Sequence, residues 1–222
     1  AQAGHAWAKE ASLKQDAIKV VRDNKTAGKI ILDGNAACAL GAMFGGVQVL
    51  PWYPITPASS LAETLIDYLE EYRHEADGKA TYAVVQMEDE LASAGAVFGA
   101  GWAGARAMTT TSGPGISLMS EFIGLGYYTE IPGVFFNVAR TGPSTGLPTR
   151  TMQGDVDICA KCSHGDTLHI NLYPGTMQEC FEFSAQSFEL AEHFQTPVFV
   201  VTDLDLGMQN WASDPFPYPE KP

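Results

Sequence analysis

From Lys29 to Leu204, short apolar runs rich in β-branched residues alternate with longer segments of helical spacing, and this alternation narrows the possible folds more than any other feature. KIILDG (29–34), VQVLPWYP (47–54), TYAVVQM (81–87), RAMTTT (106–111), GVFFNVAR (133–140), TLHINL (167–172) and TPVFVVTDL (196–204) read as strands. Residues 35–46, 57–72, 88–104, 115–129 and 176–193 read as helices between them. Strands that are apolar along their length, each followed by a helix, belong to a parallel sheet covered on both faces. The expected fold class is therefore α/β, a three-layer, mostly parallel sheet with helices on both faces.

A chain of 222 residues suits one such unit, here residues 29–210. Residues 9–27 have helical spacing and Gly28 stands where a C-cap would, so 1–28 reads as a leader helix or linker from an upstream domain. Residues 211–222, ending in SDPFPYPEKP, read as a proline-rich linker to a following domain. No apolar run approaches the roughly 18–20 residues of a membrane span. With a formal net charge of −13 and scattered basic residues, a nucleic-acid partner is excluded. Cys38, Cys159, Cys162 and Cys180 are too few and too irregular for a secreted disulfide framework, which points to a reducing cytoplasm.

In open α/β sheets ligands lie at the carboxyl ends of the strands. Four joints meet that condition. In YPITP (53–57), Thr56 followed by Pro57 matches an N-cap and first helical residue, and a helix start also aims N–H groups at an anion. In MEDELASAG, Glu88, Asp89 and Glu90 open a helix whose next residues are small, a face that admits another helix or a flat ligand. The acids complement the helix dipole, and one held beside an apolar surface is also able to share a proton. TTTSGPG (109–115) suits a tight turn or a phosphate cradle equally, and neither nucleotide fingerprint is present.

The fourth joint is VARTGPSTGLPTR. Arg140 ends an apolar strand, where a cation requires an anion, and Arg150 ends the loop that follows. Two guanidiniums at one site would suit a ligand with two carboxylates, whereas structural salt bridges would occupy them internally. The long segment Thr141–Asp157 is of a length usually kept for function. Cys159-Ala-Lys-Cys162 is a lone CxxC, better read as buried thiols than as a metal site, and no metal ligand set is expected in the chain. His164 in SHGD is a candidate donor to a ligand or a structural histidine.

YPITPASS, QMEDELASAG, TTTSGPG and RTGPSTGLPTRT, in this order and spacing, resemble the α subunit of 2-oxoacid:ferredoxin oxidoreductases from about Gly34 to Gly207. GPSTGLPT resembles the 2-oxoglutarate synthase branch of that family. The resemblance implies a thiamine pyrimidine-binding (Pyr-type) domain. Its Glu90 would hydrogen-bond N1′ of the aminopyrimidine and so promote deprotonation of the thiazolium C2. Thr56, Arg140, Arg150, Ser144 and Thr145 would surround the substrate, and Tyr53, Pro54, Ile55, Glu90, Ser112 and Gly113 the cofactor. A β subunit carrying the diphosphate-binding domain and its Mg ion, iron–sulfur clusters, coenzyme A and ferredoxin are implied outside this domain, in a dimer of heterodimers. The implied reaction is coenzyme A-dependent oxidative decarboxylation of 2-oxoglutarate, or its reversal. Alternatives are pyruvate, branched-chain or aryl 2-oxoacids, which an Arg150 facing solvent would favour, and a non-catalytic anion-binding or assembly module.

Overall fold

The computed structural model describes residues 1–11, 18 and 20–218. Its strands are β1 (Ile30–Leu32), β2 (Val49–Trp52), β3 (Ala83–Gln86), β4 (Met108–Thr111), β5 (Gly133–Ala139), β6 (Ile170–Leu172), β7 (Pro197–Asp203) and β8 (Trp211–Ser213). Its helices are α1 (Gln2–Ala11), α2 (Gly34–Phe44), α3 (Ser59–Tyr72), α4 (Glu90–Trp102), α5 (Gly113–Tyr128), α6 (Val156–Lys161), α7 (Met177–Phe194) and α8 (Leu204–Met208).

β4, β5, β7 and β6 pair in parallel in that order, and β2 pairs in parallel with β3. A parallel bridge between Val49 and Ala107 joins the two groups, with the Gln48 and Val49 N–H groups on the Arg106 carbonyl at 2.8 and 3.1 Å. The strand order is thus β3-β2-β4-β5-β7-β6. All seven β5 positions are buried, because successive side chains enter different layers. Val134, Phe136, Val138, Val198 and Val200 pack with α2, α3 and α7, while Phe135, Phe199 and Val201 pack with α4 and α5. This is the expected three-layer arrangement, and it explains why the strands lack polar alternation.

The small residues of α4 admit a second helix. Phe122 of α5 lies over Gly95, and the Phe98 ring occupies the space that a side chain at Gly126 would need.

The edges of the domain differ from expectation. Of the expected leader helix, residues 12–17 and 19 lie outside the described residues, α1 ends at Ala11, and residues 20–24 are irregular. The Ala27 N–H bonds the Asn24 carbonyl and the Lys29 N–H the Thr26 carbonyl, so Gly28 (φ +79°) closes a turn rather than capping a helix. β1 stands apart from the parallel sheet and pairs antiparallel with β8, within the segment read as a linker. Prolines discourage helix there, but the aromatics between them find partners. Phe216 is buried and stacks on Phe181, ring centroids 4.9 Å apart.

Candidate functional site

The carboxyl ends of β2, β4 and β5 bring three of the four joints together with the start of α4. Thr56 and Pro57 do not open a helix. Their peptide bond is cis, the Ala58 and Ser59 N–H groups both bond the Ile55 carbonyl, and α3 begins at Ser59. The expected N-cap is therefore corrected to a turn ahead of the helix. Each carbonyl of that turn is held from a different element. Thr56 accepts from Arg140 Nη1 at 2.7 Å, Pro57 from Asn35 Nδ2 at 2.9 Å, and Ala58 from Thr110 Oγ1 at 2.9 Å. The turn is fixed through its carbonyls, while the Thr56 side chain stays exposed and Tyr53 and Ile55 are half-buried.

Capping of α4 falls to Asp89, whose Oδ1 accepts the Ala92 N–H at 2.7 Å. Glu90 is 7% exposed and takes no part in that cap. Its stem lies beside Thr111 and Gly115, where a Cβ on Gly115 would stand 2.9 Å from Glu90 Cγ. Glycine at 115 therefore makes room for this acid at the start of α5.

Arg140 is 6% exposed, and its Nη2 donates to the Thr145 carbonyl at 2.7 Å, opposite the bond from Nη1 to Thr56. Nε is buried without a partner. Burial lowers the Arg140 pKa from its ordinary value, and the carboxylates of Asp155 and Glu90 act in the opposite sense. The guanidinium thus faces two acids without a direct salt bridge, and it retains N–H groups for a ligand.

Asp155, in the long loop, was not singled out from sequence. It accepts from Asn137 Nδ2 at 3.0 Å, and the backbone N–H groups of Gly113 and Arg140 lie close enough to favour its ionised form. Burial pushes its carboxyl above the usual carboxylate range, against the pull of those donors and of the Arg140 charge. Asn137, an amide inside an otherwise apolar strand, was the available signal. Ser112 and Gly113 are both buried at the start of α5, and the Ser112 hydroxyl has no partner.

A cleft of about 610 Å³ opens beside these groups, lined by Gly113, Arg140, Ser144, Thr145 and Asp155 among others. Ser144 (φ +57°) and Thr145 are exposed on a loop pinned at its base, where the Thr141 N–H bonds the Arg150 carbonyl at 2.8 Å. The Arg150 side chain does not join Arg140. It is exposed and bonds the neighbouring Thr149 carbonyl at 2.8 Å. His164, also exposed, lines a hollow beside the far half of α5 with Glu121 and Tyr128, away from the cleft. Cys159 and Cys162 are buried thiols as expected, and burial raises the Cys162 pKa to about 11. Among the described residues no cluster of three potential metal ligands occurs, and no described helix is long and apolar enough to cross a membrane.

The family model described as pyruvate flavodoxin/ferredoxin oxidoreductase, thiamine diphosphate-binding, matches residues 40–211. The chain belongs to this family. Within the thiamine diphosphate-binding family, it is 45% identical over 176 residues to the 2-oxoglutarate synthase subunit KorA of Methanocaldococcus jannaschii, covering 79% of this chain and 46% of that protein. It is 46% identical over 184 residues to the α subunit of 2-oxoacid:ferredoxin oxidoreductase 2 of Aeropyrum pernix, covering 78% and 28%. A solved structure of 2-oxoglutarate:ferredoxin oxidoreductase from Magnetococcus marinus, with 2-oxoglutarate, coenzyme A and succinyl-CoA bound, superposes with a TM-score of 0.85 at 36% identity, covering 99% of this chain and 36% of that one. The chain thus spans less than half the length of these relatives. A glutamate buried beside the α5 start fits the thiamine diphosphate of the family description, whose aminopyrimidine offers nitrogen atoms for such an acid to bond.

Proposed function

We propose that the chain is the pyrimidine-binding domain of a thiamine diphosphate-dependent 2-oxoacid:ferredoxin oxidoreductase that acts on 2-oxoglutarate with coenzyme A and ferredoxin. The observation that carries this reading is Glu90, buried at the start of α4 and close enough to the Arg140 guanidinium for its carboxylate to favour the cation. When bound, thiamine diphosphate supplies a carbon nucleophile for the 2-oxo group. Glu90 would hold the proton at the pyrimidine N1′, and Ser112, Gly113 and the Tyr53–Ile55 segment would border that ring. Arg140 binds the substrate carboxylate with the N–H groups left over from its two carbonyl bonds, and the exposed Thr56 hydroxyl and Ser144–Thr145 border it.

The diphosphate with its Mg ion, the iron–sulfur clusters and the coenzyme A site belong to partner domains or subunits in this reading, in a dimer of heterodimers. The names of the KorA relatives and the ligands of the Magnetococcus marinus structure support 2-oxoglutarate. One observation favours a second substrate class. Arg150 is exposed and bonds Thr149, as a site for 2-oxoacids with a single carboxylate would allow.

Viologen reduction by the complete complex, with coenzyme A and a panel of 2-oxoacids, separates the readings. Turnover of 2-oxoglutarate alone is expected. Turnover of pyruvate or branched acids instead would keep the mechanism and replace the substrate. A cluster-replete complex that reduces viologen with no 2-oxoacid and holds no thiamine would leave a binding module.

A further inference from the structure

Three N–H groups from separate parts of the site act on Asp155: the Asn137 amide inside β5, which donates to it at 3.0 Å, and the nearby backbone N–H groups of Gly113 at the start of α5 and of Arg140 just past β5, which favour its ionised form. The fit is close, since a Cβ on Gly113 would collide with Asp155 Oδ1. One carboxylate therefore sets the distance between the α5 start and the backbone from which the Arg140 side chain leaves. At its other end that side chain is fixed by the Thr56 and Thr145 carbonyls.

We propose that Asp155 is the positioning residue for recognition of the 2-oxoacid carboxylate, holding Arg140 and the first N–H of α5 at the spacing the substrate requires. The inference rests on the function proposed above. A tie among an amide and two backbone N–H groups could be made by a neutral oxygen, without desolvating a charge. Burial already disfavours the ionised form of Asp155, so its charge opposes folding at neutral pH. Such a charge is kept where it acts on another group, and here it lies close enough to the Arg140 guanidinium to favour its cationic form. Asp155 also lines the cleft with Gly113, Arg140 and Thr145.

The test is Asp155→Asn in the complete complex, which keeps the size of the side chain and turns an N–H toward one of the three donors. The expected result is a KM for the 2-oxoacid raised about tenfold, with kcat within about threefold and thiamine content unchanged, the pattern of lost ground-state binding. An unchanged KM overturns the proposal. So does a joint loss of kcat, KM and thiamine content, which a general structural role would produce. If the variant fails to assemble, Asn137→Ala, which removes one restraint on the carboxylate, is read by the same split with about a threefold rise in KM expected. A wild-type complex that turns over no 2-oxoacid defeats the functional reading and this one together, whereas an active wild type with an unaltered Asp155→Asn KM defeats this one alone.

Discussion

Arg140 Nη1 donates to the Thr56 carbonyl at 2.7 Å across 84 positions of sequence, so the residue proposed to bind substrate also fastens the turn that carries Thr56. A lysine at 140 would bring a point charge in place of a planar fork able to serve two carbonyls and a ligand at once. Arg140→Lys is expected to raise the KM for the 2-oxoacid by about ten- to a hundredfold, in line with losing one or two charge-assisted hydrogen bonds. Amide exchange of Leu147, whose N–H bonds the Thr141 carbonyl at 2.9 Å, should also accelerate once the Arg140–Thr145 bond is gone. Steady-state kinetics and exchange mass spectrometry check the two halves.

Glu90→Gln keeps the shape of the side chain and breaks no hydrogen bond among the described residues, because the α4 cap belongs to Asp89. Folding should therefore survive. A proton held at a reacting group is worth about 10²- to 10⁴-fold in rate, and a loss of that size is expected in viologen reduction by the complete complex. Near-normal turnover would remove Glu90 from the proposed mechanism.

Two glycines in the α4–α5 pair should respond in opposite directions to alanine. At Gly126 the new methyl would run into the buried Phe98 ring, and overpacking of this kind costs about 1–3 kcal/mol. At Gly99 nothing lies within 4 Å, so alanine should stabilise the helix by about 0.5–1 kcal/mol. Thermal unfolding of the two variants checks the sign of each.

His169 is buried between Tyr127 and Phe199, and its Nε2 meets the Cys162 carbonyl at 2.8 Å. Burial lowers its pKa from the ordinary 6.5. In acid the unfolded chain takes up this proton first, so the contribution is complete above the ordinary value and is lost as pH falls from there toward the depressed one. The difference in denaturant midpoint between wild type and His169→Gln should therefore narrow as pH is lowered from about 7.5 to about 5.5. A difference that stayed constant would show that the fold leaves the histidine's pKa where the unfolded chain has it.

The layered sheet was legible because each strand carries its burial locally, in runs such as GVFFNVAR that have no solvent face. Three of the site's joints were legible for the related reason that the switch-point rule needs only strand ends. The conformation at Thr56–Pro57 was not. Threonine followed by proline suits a helix start, but the observed turn is held by Arg140, Asn35 and Thr110, whose partners lie 84, 22 and 52 positions away. Asp155 escaped notice likewise, since its meaning comes from Gly113, Asn137 and Arg140 converging on it. Arg150 looked equivalent to Arg140 in sequence, yet it sits past the hairpin formed by Thr141 and Leu147 and turns outward.

The β1–β8 pair determines how the domain meets a mechanical load. Ile30 lies opposite Ser213 and Leu32 opposite Trp211, with Lys29 Nζ bonded to Asp214 at 2.7 Å, so the chain passes into and out of the domain at the same end of an antiparallel pair. Tension applied from the two sides would first draw Phe216 off Phe181 and then unzip this ribbon one rung at a time, from the ion pair and Ile30–Ser213. The Phe216 contact and the pair together would yield as a mechanical fuse, before force reached the parallel strands that hold Glu90 and Arg140 in register.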